Sequence, residues 1–414
     1  MVIPERIERK YEPYPESRDS GVERLAKVPT QWNIIRLKYG VSLINGKVEN
    51  GESDTPYLGL ENVESWTGRI IETNFEPEIE GASNSFRKDD VLFGKLRPYL
   101  AKAVHTQYHG ICTSELMVLR PQKYYSRFLF YYMLSPSTVN IIDSSTYGVK
   151  MPRANWHFIG NLPFVVPPIS EQQAIADFLD RETSRIDELI AKKQRLINLL
   201  KEQRTTLINR TVTKGLNQDV PMKDSGVEWL GEIPAHWEIK KMKYVLDLYS
   251  GESPPVSNND EGLYPIFGAN GIIGLCDSKN VSQRTIVIGR VGASGEVNIS
   301  PPECWVTDNV LIVKLKRLVE FNYVYNLLKS LKLNELALKN AQPLITGSFI
   351  KNIIITIPPI QEQQAIADYL NKETSRIDDL VGRIIQAIEK LQEYRSALIT
   401  AAVTGKIDVR QQVS

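Results

Sequence analysis

The chain has 414 residues, of which 42% are hydrophobic and 24% charged, and its formal net charge is +1. This length indicates two or three domains rather than one core, and the composition is that of a soluble globular protein. No apolar run approaches the roughly 18 residues that span a membrane, and the polar amino end lacks the apolar core of a signal peptide. Three cysteines without CxxC spacing, Cys112, Cys276 and Cys304, favour a reducing cytoplasm.

The charges of the chain nearly cancel, since 50 basic residues stand against 49 acidic ones. A nucleic-acid-binding protein usually carries a basic surplus. If this chain binds nucleic acid, the sequence must therefore provide local basic clusters, or a partner protein must supply the positive charge.

A short entrance segment occurs twice along the chain. DSGVERLAKVPTQW at residues 19–32 corresponds to DSGVEWLGEIPAHW at residues 224–237, at an offset of 205. A second segment also repeats: 18 of the 25 residues from Val166 are identical to those from Ile357, at an offset of 191. The chain is therefore a tandem duplication, and the region between the two segments is 14 residues shorter in the second copy.

Each copy consists of a fixed entrance, a divergent middle and a fixed exit. In the middles, runs such as RTIVIGRV, NVLIVKL and NIIITIP predict strands, and apolar stretches such as SRFLFYYML predict helices. LFGKLRPYLAKA from Leu92 is the one stretch that matches the second middle by eye, at VIGRVGASGEV from Val287. The predicted domains are a mixed α/β domain at 1–165, a long helix at 166–215, a second mixed domain at 216–356, and a long helix with a tail at 357–414.

The exits predict long helices. Pro167 and Pro168 end the preceding element, and Ser170 with Gln173 has the spacing of a capping box. Apolar residues then recur at a heptad step through both exits, which is typical of a coiled coil. The seam residues of the first exit are Ile175, Leu179, Ile186, Leu189, Leu196, Leu200 and Leu207, interrupted by Lys193.

The second exit carries an unbroken seam of Leu370, Ile377, Ile384, Leu391 and Leu398. Each helix of about 40 residues would be roughly 60 Å long and should end near residues 213–215 or 404–406. Two apolar seams in one chain most simply pack against each other. A coiled-coil dimer between chains is the alternative.

No arrangement of residues predicts catalysis or a metal site. His105 and His109 are four residues apart without a nearby acidic ligand, so a satisfied surface pair is favoured over a zinc site. No phosphate-binding loop of the Walker type is present. The glycine cluster at residues 289–295 is most simply a turn at the end of a strand.

Basic residues on glycine- and proline-containing loops are the candidates for binding. Such residues approach phosphates closely, and arginine can read guanine edges. Solvated loop charges are the alternative for each of them. The candidate DNA-binding residues are Lys95, Arg97, Tyr99, Lys102, Lys150, Arg153, Arg290 and Ser294.

The end of the first exit helix is basic. Between Lys192 and Lys214 it carries seven basic residues and one acidic residue, Glu202. This pattern fits a solvated coiled-coil face equally well as contact with DNA phosphates or with an acidic partner.

The duplicated Pro-x-x-Trp entrances, the Pro-Pro-Ile-x-Glu-Gln-Gln exits and the VTKGL and VTGKIDV endings resemble the specificity subunit of type I restriction–modification systems. The resemblance covers almost the whole chain. It implies an α+β fold in which two target recognition domains are joined by two long helices, paired as an antiparallel coiled coil with internal pseudo-twofold symmetry. It also implies that the chain is not an enzyme and that it reads a bipartite, gapped site on double-stranded DNA.

The resemblance further implies protein partners, namely two adenine methyltransferase subunits, which carry S-adenosylmethionine, and restriction subunits bound through them. The repeated Glu-Gln-Gln motifs are the expected docking surface or part of its packing core. These residues are Glu171, Gln172, Gln173, Glu362, Gln363 and Gln364. The alternatives are a coiled-coil adaptor between two protein ligands and, more remotely, a self-sufficient nuclease or methyltransferase.

Overall fold

A computed structural model of the chain divides into two compact units. The first unit consists of Met1–Lys193 and Ile385–Ser414, and the second of Gln194–Ile384. Each unit therefore contains one divergent middle and parts of both long helices, whereas the predicted domain boundaries follow the helix ends. The structure describes residues 7, 10–22, 25–48, 55–71, 83–146, 150–255, 262–291, 293–316, 319–337 and 345–412. Within these ranges, no helix is long and apolar enough to cross a membrane.

The described part of the first unit holds short strands around two small sheets. The strands are β1 (Ser17–Asp19), β2 (Lys27–Pro29), β3 (Asn33–Arg36), β4 (Val41–Ile44), β5 (Lys47–Val48), β6 (Tyr57–Leu58), β7 (Ser83–Phe86), β8 (Val91–Gly94), β9 (Ala103–His105), β10 (Gly110–Thr113), β11 (Leu116–Pro121) and β12 (Pro163–Val166).

The second unit continues the series with strands in nearly the same order. They are β13 (Met222–Asp224), β14 (Glu232–Pro234), β15 (Glu238–Lys241), β16 (Leu246–Ser250), β17 (Tyr264–Gly268), β18 (Gly271–Cys276), β19 (Ile286–Gly289), β20 (Val297–Ile299), β21 (Trp305–Val306), β22 (Val310–Leu315) and β23 (Ile354–Ile357). Three of them, β19, β22 and β23, lie within the runs for which the sequence predicts strands.

The helices of the middles are short, and those of the exits are long. The α-helices are α1 (Ser126–Leu134), α2 (Pro136–Ser144), α3 (Trp156–Ile159), α4 (Ile169–Lys214), α5 (Phe321–Ser330), α6 (Leu333–Ala337), α7 (Gly347–Asn352) and α8 (Ile360–Val403). The 3-10 turns are Leu37–Tyr39, Pro98–Leu100, Met242–Tyr244 and Arg410–Gln412.

The main sheets of the two middles share one topology despite their divergent sequences. The first has a sheet of order β4-β11-β8-β9 and the second a sheet of order β16-β22-β19-β20, each antiparallel throughout. The second sheets differ, with the order β5-β7-β10-β6 in the first unit and β18-β17-β21 in the second, although each contains one parallel pair, β6 with β10 or β17 with β21. The inner strands β8 and β19 are apolar and every residue in them is buried, which is typical of a strand covered on both faces. The match between residues 92 and 287 is thus confirmed, since each is the second residue of the equivalent strand in its own sheet.

The fixed segments form a frame around each middle. The entrance forms the pairs β1–β2 and β13–β14, and the strand after each entrance pairs with the strand before each exit, β3 with β12 and β15 with β23. Each frame thus ties the start of its middle to the start of its long helix.

The long helices pair antiparallel within each unit. In the first unit Arg395 on α8 pairs with Asp187 on α4 at 3.0 Å, and in the second unit Arg204 on α4 pairs with Asp378 on α8 at 3.1 Å. The two aspartates are related by the repeat offset of 191, and so are the two arginines, so the two ion pairs are copies of each other. The prediction of pairing within the chain is confirmed.

Two details of the predicted helices are wrong. The first helix begins at Ile169, so Ser170 lies within its first turn instead of capping it. Leu189 and Leu196, which the heptad pattern assigned to the seam, are exposed, whereas Leu179, Ile186 and Leu200 are buried as predicted. The seam is therefore narrower than a full heptad stripe.

Each long helix ends against an entrance tryptophan. Gly215 follows α4 with φ +75°, and a Cβ there would lie 3.1 Å from the Trp237 ring. Gly405 follows α8 with φ +69°, and a Cβ there would lie 3.0 Å from the Trp32 ring. Left-handed φ and this close approach both favour glycine at the end of the helix. The helix that leaves one middle thus ends on the entrance of the other copy.

Candidate nucleic-acid interface

Two predicted basic residues occupy equivalent positions in the two units. Lys95 directly follows β8 and Arg290 directly follows β19. Both backbone N–H groups donate, at 2.9 Å, to the carbonyl of the residue that precedes the neighbouring strand, β11 or β22. The backbone carbonyl of Lys95 accepts the N–H of Ala154, just before α3, at 2.8 Å. The carbonyl of Arg290 accepts the N–H of Ile345, just before α7, at 3.4 Å. Each unit therefore presents one basic residue at the equivalent end of its main sheet.

The first unit brings two of the predicted basic segments together. An antiparallel bridge joins Leu96 to Arg153, and the N–H of Arg97 donates to the Pro152 carbonyl at 2.8 Å. Residues 95–97 and 150–153 thus run side by side at one end of the sheet. Clustered basic side chains of this kind form a surface suited to phosphates.

The charges of this cluster differ in how they are compensated. Arg153 donates to both carboxylate oxygens of Glu115, at 3.1 and 3.3 Å. Lys102 is half-buried and its Nζ donates to the Leu60 carbonyl at 2.8 Å, so this ammonium is held within the unit. Arg97 is exposed and forms no ion pair with any described residue. Its charge is therefore available to a ligand.

Tyr99 and Lys150 are also exposed. Tyr99 lies in the turn Pro98–Leu100, which is flanked by Arg97 at φ 50° and Ala101 at φ 46°. Left-handed φ is uncommon for residues other than glycine, and such strain concentrates at binding sites. The turn holds the aromatic ring of Tyr99 away from the core, beside the basic segment.

The glycine turn of the second unit, residues 289–295, packs against α6. A Cβ on Gly295, which has φ +88°, would lie 2.2 Å from the backbone nitrogen of Asn334. Ser294 is buried and its Oγ finds no hydrogen-bond partner among the described residues. Arg290, at the start of this turn, is partly exposed, whereas Ser294 is buried.

The first Glu-Gln-Gln motif connects the start of α4 to the body of its unit. Glu171 accepts the hydroxyl of Tyr14 at 2.5 Å and the side-chain amide of Gln31 at 3.2 Å. Burial and the Glu171 carboxylate raise the pKa of Tyr14, which keeps its hydroxyl a donor. Gln172 accepts the N–H of Tyr125 at 2.9 Å and donates to the carbonyl just before the helix at 2.8 Å.

The second motif makes the corresponding contacts with different partners. Glu362 accepts from Nε2 of His236 at 2.6 Å and from Nε1 of Trp237 at 2.9 Å. Gln363 accepts the N–H of Glu320 at 2.9 Å and donates to the carbonyl before its helix at 2.9 Å. The glutamate and the first glutamine of each motif thus hold the frame together, which agrees with the packing-core alternative.

The second glutamine of each motif differs from the first. Gln173 and Gln364 are both exposed. The side chain of Gln364 donates to Asp368 on its own helix at 3.1 Å, and neither glutamine bonds to a described residue of the frame.

A duplicated surface feature was missed by the sequence analysis. Lys38 and Tyr39 in the first unit correspond to Lys243 and Tyr244 in the second, at the entrance offset of 205. Both tyrosines are exposed, and each lysine lies over its neighbouring ring. The short repeat Lys-Tyr after an apolar residue was the available signal, but two letters alone were too few to single out.

The histidines form a different arrangement from the predicted surface pair. His105 is buried at the end of β9, where its ring nitrogens contact Ser126 Oγ at 2.8 Å and the Gln107 amide at 3.0 Å. Burial, assisted by the charge of Arg127, lowers the pKa of His105. His109 is exposed. Among the described residues, no group of three or more His, Cys, Asp or Glu side chains could hold a metal ion.

Comparison with known proteins identifies the family. The family model described as the type I restriction modification DNA specificity domain matches residues 42–199 and 234–390. The chain belongs to this type I specificity family. Because the model matches twice, once in each unit, the internal duplication is also confirmed.

Relatives within the type I specificity family match over nearly the full length. The MjaVIII specificity subunit of Methanocaldococcus jannaschii is 23% identical, over 93% of this chain and 95% of its own. The EcoKI specificity subunit of Escherichia coli is 20% identical, over 92% of this chain and 90% of its own.

A solved structure shares the fold. It comes from work on the complex assembly and conformational transition of the type I R-M system, and it is 20% identical with a TM-score of 0.75, covering 91% of this chain and 98% of its own. Family membership confirms the predicted α+β duplication and the role as a DNA-specificity subunit rather than a catalytic one.

Proposed function

We propose that the chain reads a bipartite DNA site, with each unit reading one half-site and an unread gap between them. The equivalent placement of Lys95 and Arg290 carries this proposal, because it occurs in two middles whose sequences differ. Equivalent positions give both readers the same approach to DNA. Different side chains around them then select different bases.

The surface proposed to meet DNA in the first unit is the paired basic segment with its strained turn. Arg97 and Lys95 are its uncompensated charges, and Arg153, Tyr99 and Lys150 adjoin them. In the second unit Arg290 is the corresponding residue. Lys102 and Ser294 support these loops from within, since the first is bonded to a backbone carbonyl and the second is buried.

The long helices are proposed to fix the length of the unread gap. An α-helix rises 1.5 Å per residue, so a change of four residues moves its end by about 6 Å, close to two base pairs. The copied ion pairs Asp187–Arg395 and Arg204–Asp378 hold the helices in one register. A fixed register is what a spacer of defined length requires.

The partners are proposed to be two adenine methyltransferase subunits, each carrying S-adenosylmethionine, and restriction subunits bound through them. The duplication supports this, because two half-sites need two copies of one enzyme and therefore two copies of one docking surface. Gln173 and Gln364, as the exposed members of the repeated motif, are proposed to lie in that surface. We place the assembly in the cytoplasm, in line with three unpaired cysteines.

A map of adenine methylation across the host genome, with the gene present and deleted, tests the proposed function. The expected result is the loss of one two-part motif with a fixed gap on deletion, and that motif then gives the target of each unit. If an active methyltransferase partner is present and the methylation pattern is unchanged, the chain is instead a coiled-coil adaptor between protein ligands.

A further inference from the structure

Two short turns present the same residues at the same place in both units. Leu37–Tyr39 follows β3, and Met242–Tyr244 follows β15. The N–H of Leu37 donates to the Leu162 carbonyl at 3.0 Å, and the N–H of Met242 donates to the Ile353 carbonyl at 2.9 Å. Leu37 and Met242 are fully buried, so each turn is anchored by one apolar side chain.

Each turn presents an aromatic side chain and a basic side chain to solvent. Tyr39 is 71% exposed and Tyr244 is 63% exposed. The Nζ of Lys38 lies 5.5 Å from the ring of Tyr39, and the Nζ of Lys243 lies 5.1 Å from the ring of Tyr244. These rings are mostly outside the core, so the fold does not account for a tyrosine at both positions.

The residue before each anchor adds a further positive charge. Arg36 and Lys241 correspond at the offset of 205, and both are exposed. Arg36 donates to the neutral side chain of Asn161 at 3.2 Å. Arg36, Lys241 and the two turn lysines form no ion pair with any described acidic residue. In a chain of net charge +1, two such uncompensated patches are local concentrations of positive charge.

We infer that each turn binds phosphates of the DNA backbone, one turn on each half-site; this rests on the proposed function. The middles differ in sequence, so their contacts to bases differ. An element that is the same in both binds something present twice, either the sugar–phosphate backbone, which is common to every sequence, or a partner subunit. The uncompensated positive charge of both turns favours the backbone. Lysine and arginine supply charge, and the tyrosine hydroxyl supplies a hydrogen-bond donor.

In the first unit the turn lies close enough to the proposed reading loops for one duplex to reach both. The N–H of Lys38 donates to the Gly160 carbonyl at 2.8 Å, and Ala154 donates to the carbonyl of Lys95 at 2.8 Å. The six residue steps from Ala154 to Gly160 span at most about 20 Å. Each strand of a duplex carries one phosphate per about 3.4 Å of helix axis, so a duplex at the loops carries several phosphates within this reach.

In the second unit a short helix makes the same connection. Ile345 donates to the carbonyl of Arg290, and Ile353 accepts from Met242. The seven residues between Ile345 and Ile353 include α7. The same two contact regions are therefore joined in both units.

The test is the double variant Lys38→Gln with Lys243→Gln in the full-length chain, within its assembled complex. Binding to a cognate duplex and to an unrelated duplex is measured over a range of salt concentrations. Removing two phosphate contacts should flatten the slope of log K against log salt by about 2. Affinity at low salt should fall by the same factor for both duplexes, on the order of tenfold, and the methylated motif should be unchanged.

Lys329→Gln is the matched control. Lys329 lies 5.4 Å from the ring of Tyr325, a lysine–tyrosine pair of similar geometry on α5, so its replacement removes one charge outside the proposed contact. The control should leave the salt slope unchanged.

An unchanged slope in the double variant would overturn the inference. So would loss of a methyltransferase subunit from the purified complex with DNA binding otherwise intact, since the turns would then dock protein. A wild-type complex that binds neither duplex would instead count against the proposed function itself.

Discussion

The two units share a frame but differ in how the middle is fastened to the helix pair. In the first unit Arg395 is 8% exposed and donates both to Asp187 and to the carbonyl of Trp66 at 2.8 Å. Asp187 also accepts from Arg69 at 3.0 Å. In the second unit the corresponding Arg204 is 29% exposed and bonds only to Asp378 among the described residues.

The entrances differ in the same way. In the first unit the carboxylate of Glu171 is taken by Tyr14 and Gln31, and the buried indole N–H of Trp32 has no partner among the described residues. In the second unit the indole of Trp237 donates to Glu362 directly. The repeat thus preserves the positions of the frame residues and not their hydrogen bonds.

This difference shows where the duplicated chain tolerates change. The first middle is 14 residues longer, and its segment around Trp66 and Thr67 reaches Arg395, whose counterpart has no such contact. The frame therefore accepts a middle with or without this brace, that is, the contact of residues 66 and 67 with Arg395. Such a frame can hold middles of different size. That property suits a protein whose middles select different bases.

Replacing the two equivalent arginines should give the largest difference between the units. Arg395→Met removes one of the two cationic partners of the largely buried Asp187 and leaves only Arg69. We expect a loss of about 3 kcal/mol in the free energy of unfolding. Arg204→Met breaks an exposed pair and should cost about 1 kcal/mol or less. Urea unfolding with hydrogen exchange on each unit measures both. Equal losses would mean that the brace adds nothing to the first unit.

The entrance tryptophans should show a smaller difference. Trp32→Phe and Trp237→Phe remove the same ring atoms, but only Trp237 gives up a hydrogen bond to a carboxylate. We expect Trp237→Phe to cost about 1.5 kcal/mol more than Trp32→Phe, the low end for a hydrogen bond to a charged group, because Glu362 keeps its contact with His236. Chemical denaturation of the two variants under identical conditions provides the measurement, and a reversed order would show that Glu362 is satisfied without the indole.

The smallest effect concerns acid stability. The pKa of His105 is lowered in the folded chain, so the unfolded chain binds the proton more readily. Its contribution to stability is therefore present above the ordinary pKa near 6.5 and is lost as pH falls through the lowered folded pKa. We expect His105→Gln to flatten the fall in melting temperature of the first unit below about pH 6.5, while His109→Gln, at an exposed position, leaves it unchanged. A slope that persists in the first variant would assign the acid sensitivity to other groups.

The frame and the long helices were predictable because their signals are local or repeated. Heptad steps, proline pairs and an 18-in-25 match over one segment identify the helices and the duplication directly. The exposure of Leu189 and Leu196 was not predictable, because the antiparallel partner uses only part of the apolar stripe.

The strand order of the middles, including that of the shared main sheet, could not be predicted from the sequence. Strand order depends on pairings between distant residues, such as β6 with β10, and these leave no mark in the local pattern. Among the candidate residues, the loop basic residues were found by type. Their juxtaposition required the bridge between Leu96 and Arg153, and the burial of Ser294 required the helix packed over it.

Lengthening the helix pair tests directly whether the units read the half-sites and the helices set the gap between them. Four residues are inserted in each long helix near the middle of the pairing, so that both copied ion pairs keep their partners, and the methylated motif is then determined. We expect the gap to grow by about two base pairs, since the helices lengthen by about 6 Å, while both half-site sequences stay the same. An unchanged gap with altered half-site sequences would contradict the assignment of reading to the units and of spacing to the helices.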